Sequence, residues 1–88
     1  MFQGGGGITG PAFAEPGQSV TVQVPANHSS VTVKVSGQSG PGEVVAVDAS
    51  GKATISVPSG TAGQDLIIRV DGSVPAISTS IPIISQFL

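Results

Sequence analysis

Eighty-eight residues suffice for one domain, and a chain without cysteine can build neither a disulfide nor a thiolate metal site. Only 9% of the residues are charged and three of them, Lys34, Lys52 and Arg69, are basic. That is too few and too scattered to displace counterions from a nucleic acid, and no apolar run reaches the ~18 residues of a membrane-spanning helix.

The chain opens with an arm, residues 1–7, that ends in four consecutive glycines, Gly4 to Gly7. Such a run is costly to order, so the arm is expected to be flexible, with Phe2 as its one candidate anchor. The remainder, 8–88, is expected to form the domain. Residues 8–14 contain Pro11 and read as an edge-like first strand. Glu15-Pro16-Gly17-Gln18 is a turn, because proline presets φ and glycine admits positive φ.

From there alternation dominates. Apolar residues stand at every second position, which makes one face of an extended strand oily and the other polar. The strand at 18–24 points Val20, Val22 and Val24 inward, and the strand at 30–36 points Val31, Val33 and Val35 inward. Between them Pro25-Ala26-Asn27-His28 is a turn. After a Gly/Pro/Ser loop at 37–42, the apolar run 44–47 is a short strand without a clear facing. Asp48-Ala49-Ser50-Gly51 is read as a tight hairpin link.

The strand at 52–57 buries Ala53, Ile55 and Val57. The strand at 65–71 buries Leu66, Ile68 and Val70 and leaves Ile67 and Arg69 on its other face. Asp71-Gly72 is a hairpin signal. The last strand, about 76–84, places Ile77, Ile81 and Ile83 on one face, and Pro82 puts it at a sheet edge because proline lacks an N–H. Oily faces of this kind are hidden by packing sheet on sheet. The expected fold is therefore an all-β sandwich of about seven antiparallel strands.

Chemistry-bearing residues are sparse. His28 is the only histidine and lies in a turn. The carboxylates Glu15, Glu43, Asp48, Asp65 and Asp71 are dispersed, and Asp48 and Asp71 are explained by turn chemistry. No acidic loop is dense enough for the six or more oxygens of a Ca²⁺ site. Asn27-His28-Ser29 matches a glycosylation acceptor, which would matter only in a eukaryotic secretory pathway; nothing in the sequence supports that, and the turn reading is favoured. The glycine run follows no strand and carries no Lys, so it is no phosphate loop. No nucleophile–base pair is visible. The expectation is a protein that is not an enzyme and takes no cofactor or metal. A sugar-binding module is disfavoured because neither Trp nor Tyr is present to stack on a sugar face.

The ends are unusual for their apolarity. Chain termini are ordinarily polar and frayed, yet Ile84, Phe87 and Leu88 close the chain and Phe2 and Ile8 open it. Phe2, Ile8, Ile84, Phe87 and Leu88 are accordingly the candidate partner-interface residues.

Two segments resemble a known family. Glu15-Pro16-Gly17-Gln18-Ser19-Val20-Thr21-Val22 is similar to an early strand of bacterial and phage immunoglobulin-like (Big-type) domains. Gly51-Lys52-Ala53-Thr54-Ile55-Ser56-Val57, followed by Thr61-Ala62-Gly63 and by residues 66–70, is similar to a later hairpin of the same domains. The likeness covers most of 15–71. It departs where those domains often carry a Tyr, a place held here by Gln64 and Asp65. The resemblance implies an immunoglobulin-like sandwich and a binding or structural role, either as an adhesive spacer or as a protein that decorates phage capsids and tails. The Met start without a basic and apolar leader favours the second. The expected function is thus a capsid cement or decoration subunit of a tailed phage, localised to the virion and assembled in the host cytoplasm. Its partner would be the major capsid protein or another virion protein in many copies, with self-association on the shell. The alternative is an immunoglobulin-like module of a bacterial cell-surface protein or adhesin.

Overall fold

Alternation in the sequence becomes alternation in burial. In the computed structural model, which describes residues 7–85, six strands form: β1 (Ser19–Gln23), β2 (Ser30–Val35), β3 (Glu43–Ala46), β4 (Lys52–Ser56), β5 (Asp65–Val70) and β6 (Ser78–Pro82). No helix occurs among the described residues. Every second residue of β4 and β5 is buried and every other one exposed, as period two requires of a strand with one wet face.

The strands make two antiparallel sheets, one of β1–β4 and one in the order β3–β2–β5–β6. Their oily faces meet in a single cluster. Val22, Val24, Ala53, Ile55 and Val57 come from one side, and Val31, Val33, Val35, Leu66, Ile68, Val70, Ile81 and Ile83 from the other. The architecture is therefore all-β and sandwich-like. Val20 and Ile77 face the same interior but are only partly buried.

Pro82 sits where its chemistry demands. Ile83 donates to Gln64 and Val70 donates to Ile77, so odd-numbered residues of β6 bond β5 and the nitrogen of Pro82 faces outward. β6 is an outer strand of its sheet, and Pro82 offers only its carbonyl there, which accepts from Ala14 N–H at 2.8 Å.

Two expectations are corrected. Residues 8–14 are not a strand: Thr9 makes one antiparallel bridge to Gln23 and Ala14 one parallel bridge to Ile83. Pro11 lacks the donor a continuous ladder needs, and the segment leaves one sheet to join the other. Second, Asp48-Ala49-Ser50-Gly51 does not link paired strands. The turn itself forms, with Asp48 Oδ1 accepting from Ser50 N and Lys52 N at 2.9 Å each and Gly51 at φ 82°. But β3 pairs with β2 and β4 with β1, so the turn carries the chain across the sandwich. Six strands form among the described residues, where about seven are expected of the whole chain. Asp71-Gly72 does open a hairpin, since β5 and β6 pair, though the link runs to Ile77 before Val70 N–H closes it.

Candidate partner interface

The outer face of the four-stranded sheet carries exposed apolar side chains. Register places Val44, Thr32, Arg69 and Ser78 in one row across it, and Lys34, Ile67 and Ser80 in the next. Val44 is 67% exposed and Ile67 38%. Two of the three basic side chains, Lys34 and Arg69, flank Ile67 on β2 and β5. The face is thus apolar at its centre, with cations beside it and hydroxyls around it.

Asp71 closes one end of this face. Its carboxylate accepts from Thr32 Oγ1 at 2.6 Å and from Ser30 Oγ at 2.8 Å. These hydrogen bonds, Thr32 foremost and with a smaller contribution from Arg69, hold the carboxyl below its ordinary value of 3.8. A carboxylate with a depressed folded-state pKa stabilises the fold above the unfolded value and loses that contribution as pH falls through the folded one. Asp71→Asn is therefore expected to melt below the wild type at neutral pH. The gap should close as pH drops below 3.8. Thermal melts across that range check this, and a gap independent of pH would contradict it.

Of the five interface candidates, Phe2, Phe87 and Leu88 lie outside the described residues. Ile8 is partly buried and packs against the core. Ile84 is 44% exposed, while its N–H donates to Ala14 O at 2.8 Å. The two are not brought together. Ile8 precedes Thr9, which bridges the last residue of β1, at the end of the sandwich where the chain passes to β2. Ile84 follows Ile83, which bonds Gln64 just before β5, at the end where β2 finishes beside Leu66. Exposed apolar residues not singled out from the sequence are Val44, Phe13 and Val74.

The fold does bring His28 and Asp48 to one depression, lined also by Asn27 and Ser50 between the β1–β2 and β3–β4 links. Nothing in the sequence signals this, because the residues are far apart in the chain. Asp48 Oδ1 is already committed to the backbone of Ser50 and Lys52, so the carboxylate serves the turn. Asn27 adopts φ 72°, a left-handed conformation that Asn tolerates in turns. Among the described residues no group of three or more His, Asp or Glu side chains could hold a metal ion. Comparison with protein-family models, with curated proteins and with solved structures finds no match to this chain.

Proposed function

We propose that the chain is a non-catalytic binding domain of immunoglobulin-like fold. It serves as a structural virion protein, a cement or decoration subunit seated on the capsid of a tailed phage. The observation that carries this reading is the exterior. A chain with five acidic and three basic residues displays Val44, Ile67, Phe13, Val74 and Ile84 to solvent. Interface cores are depleted in charge and enriched in apolar side chains, and a free surface is ordinarily far more charged.

Support for the immunoglobulin-like part comes from connectivity. The chain crosses between the sheets after β1, β3 and β4, while β2–β3 and β5–β6 pair within one sheet, a mixture of crossings and hairpins found in Greek-key sandwiches. The opening segment touches both sheets through Thr9 and Ala14. The disulfide and core Trp of antibody domains have no counterpart here, since Cys and Trp are absent.

Binding is passive in this reading. The apolar ends and a sheet edge pack across neighbouring shell proteins, and ~800 Å² per partner is an ordinary interface. Where one subunit engages several sites, avidity multiplies a modest affinity. The test is co-sedimentation with purified capsids of a tailed phage. Saturable binding at a fixed copy number per shell is expected, and it should weaken when residues 87 and 88 are removed. A protein that never sediments with any shell refutes the cement role. Persistence of binding after truncation refutes the terminal anchor. The strings at 15–22 and 51–57 favour equally a module of a bacterial surface protein or adhesin. A long secreted reading frame around this one, rather than capsid genes beside it, would select that alternative.

A further inference from the structure

A sandwich built from open sheets has edges, and each edge is a row of backbone donors and acceptors awaiting a strand. Two of the four edges here are covered by the opening segment, and a third, β4, is polar and begins with a lysine. At the outer side of β6, Ala14 bridges Pro82 and Ile84, and Pro82 has no N–H to give. At the outer side of β1, Thr9 exchanges both hydrogen bonds with Gln23, and Pro11 and Phe13 line one depression with Ser19 and Val20. At β4, the side chains flanking the edge are polar, and Lys52 begins the strand with its N–H and C=O both bonded to Asp48. Lysine is a common guard of such edges.

β3 has no such protection. Its sequence is Glu-Val-Val-Ala, without Pro or Lys. Val47 donates to Ser29, and Val45 and Glu43 lie opposite Val31 and Val33. Hydrogen-bonded pairs alternate in an antiparallel ladder, so residues 43, 45 and 47 bond β2. The N–H and C=O groups of Val44 and Ala46 then point away from the sheet, and nothing among the described residues pairs with them. Val44 is also the most exposed large apolar residue on any strand.

We infer that β3 is a self-pairing edge, at which two copies of this chain join antiparallel about a two-fold axis at Val45 and fuse their four-stranded sheets into one. The register follows from the phase of the ladder. Outward groups must meet outward groups, so Val44 pairs with Ala46 of the second copy and Ala46 with its Val44. Each pairing exchanges both hydrogen bonds. One residue of slip would oppose groups that β2 already occupies. Two residues of slip one way would need Asp48, whose N–H is bonded to Lys52. Two residues the other way would need Gly42, whose φ of 85° is not that of a strand.

Side chains suit this register. Half-buried Val45 meets Val45 of the second copy at the non-hydrogen-bonded position, where side chains approach most closely. Val44 meets Ala46 on the outer face, and Glu43 lies opposite Val47 rather than its own symmetry mate. No like charges oppose. An isologous two-fold contact of this kind closes on itself as a dimer. It is small, below the ~1,200 Å² of standard interfaces, so a dissociation constant in the high micromolar range is expected. It does not depend on shell binding and is tested on the protein alone.

The experiment is sedimentation equilibrium over a wide concentration range, together with amide exchange at low and high concentration. The wild type should show a monomer–dimer equilibrium, and the Val44 and Ala46 amides should gain protection as concentration rises. Val44→Lys, which places two cations across the axis, should weaken dimerisation by at least ~10-fold. Ala46→Pro should do the same by deleting one inter-copy donor per chain, and no bond within the sheet is lost because that N–H faces outward. Thermal melts show whether each variant folds, and the wild-type exchange result stands if one does not. A wild type that stays monomeric throughout overturns the inference. So does protection of Val44 and Ala46 that is independent of concentration, or a dimer that survives both substitutions.

Discussion

Ile68→Ala is expected to cost about 2–5 kcal/mol of stability, whereas Ile67→Ala, one residue away, should cost under ~1 kcal/mol. Ile68 is 0% exposed and lies on β5, an inner strand of its sheet, with Val33 on one side and Thr79 on the other. Truncation removes its transfer free energy and leaves a cavity that strands paired on both sides cannot easily close. Ile67 points to the outer face, where water already wets much of it. For a domain of this size each kcal/mol moves the melting temperature by ~4–8 °C. The Ile68 variant should thus melt ~10 °C or more below the wild type while the Ile67 variant stays within a few degrees. Calorimetry of the pair settles the matter. Equal losses would mean that the faces of β5 are assigned wrongly, and with them the two-sheet core.

The same contrast shows why much of the fold was legible. Between 52 and 57 period two is unbroken, between 65 and 71 only Ile67 interrupts it, and the side chains named as inward are the buried ones. Pro82 announced an edge because a missing donor is a local property. What failed to be legible was non-local. The run 44–47 has no alternation, since Val44 is exposed on one face and Val45 half-buried on the other. An Asp-x-x-Gly turn has the same chemistry whether the strands it joins pair or part, so Asp48 gave no sign that β3 and β4 belong to different sheets. The single bridges of Thr9 and Ala14 leave no periodic trace at all.

The candidate interface was less legible still. Apolarity at a chain end says that a side chain wants cover, not what covers it. Ile8 packs on the core of its own domain, while Ile84 at the opposite end remains open to solvent. Val44 stands in a run without a clear facing, and only pairing with β2 sets its direction. The exposed apolar centre between Lys34 and Arg69 depends on register across three strands, which no single segment encodes.

Gly42→Ala is expected to be the most damaging of the small loop substitutions, at about 2–5 kcal/mol, because two independent costs fall on one methyl group. The backbone of Gly42 sits at φ 85°, and a left-handed conformation costs a non-glycine residue ~1–2 kcal/mol. A Cβ there would also stand 2.8 Å from Val33 O. That carbonyl belongs to β2 opposite Glu43, so it cannot retreat without loosening the first pair of the β2–β3 ladder, and overpacking of this kind costs a further ~1–3 kcal/mol. Gly17→Ala is the control. Its φ of 79° is nearly the same, but nothing lies near the added methyl, so only the ~1–2 kcal/mol backbone cost applies. Chemical denaturation of both variants measures the difference. Amide exchange should locate the extra loss in Gly42→Ala at Glu43 and Val45, whose N–H groups bond β2. Equal destabilisation would show that β3 yields freely at its start, and a strand that yields there could not hold Val44 and Ala46 in register for a second copy.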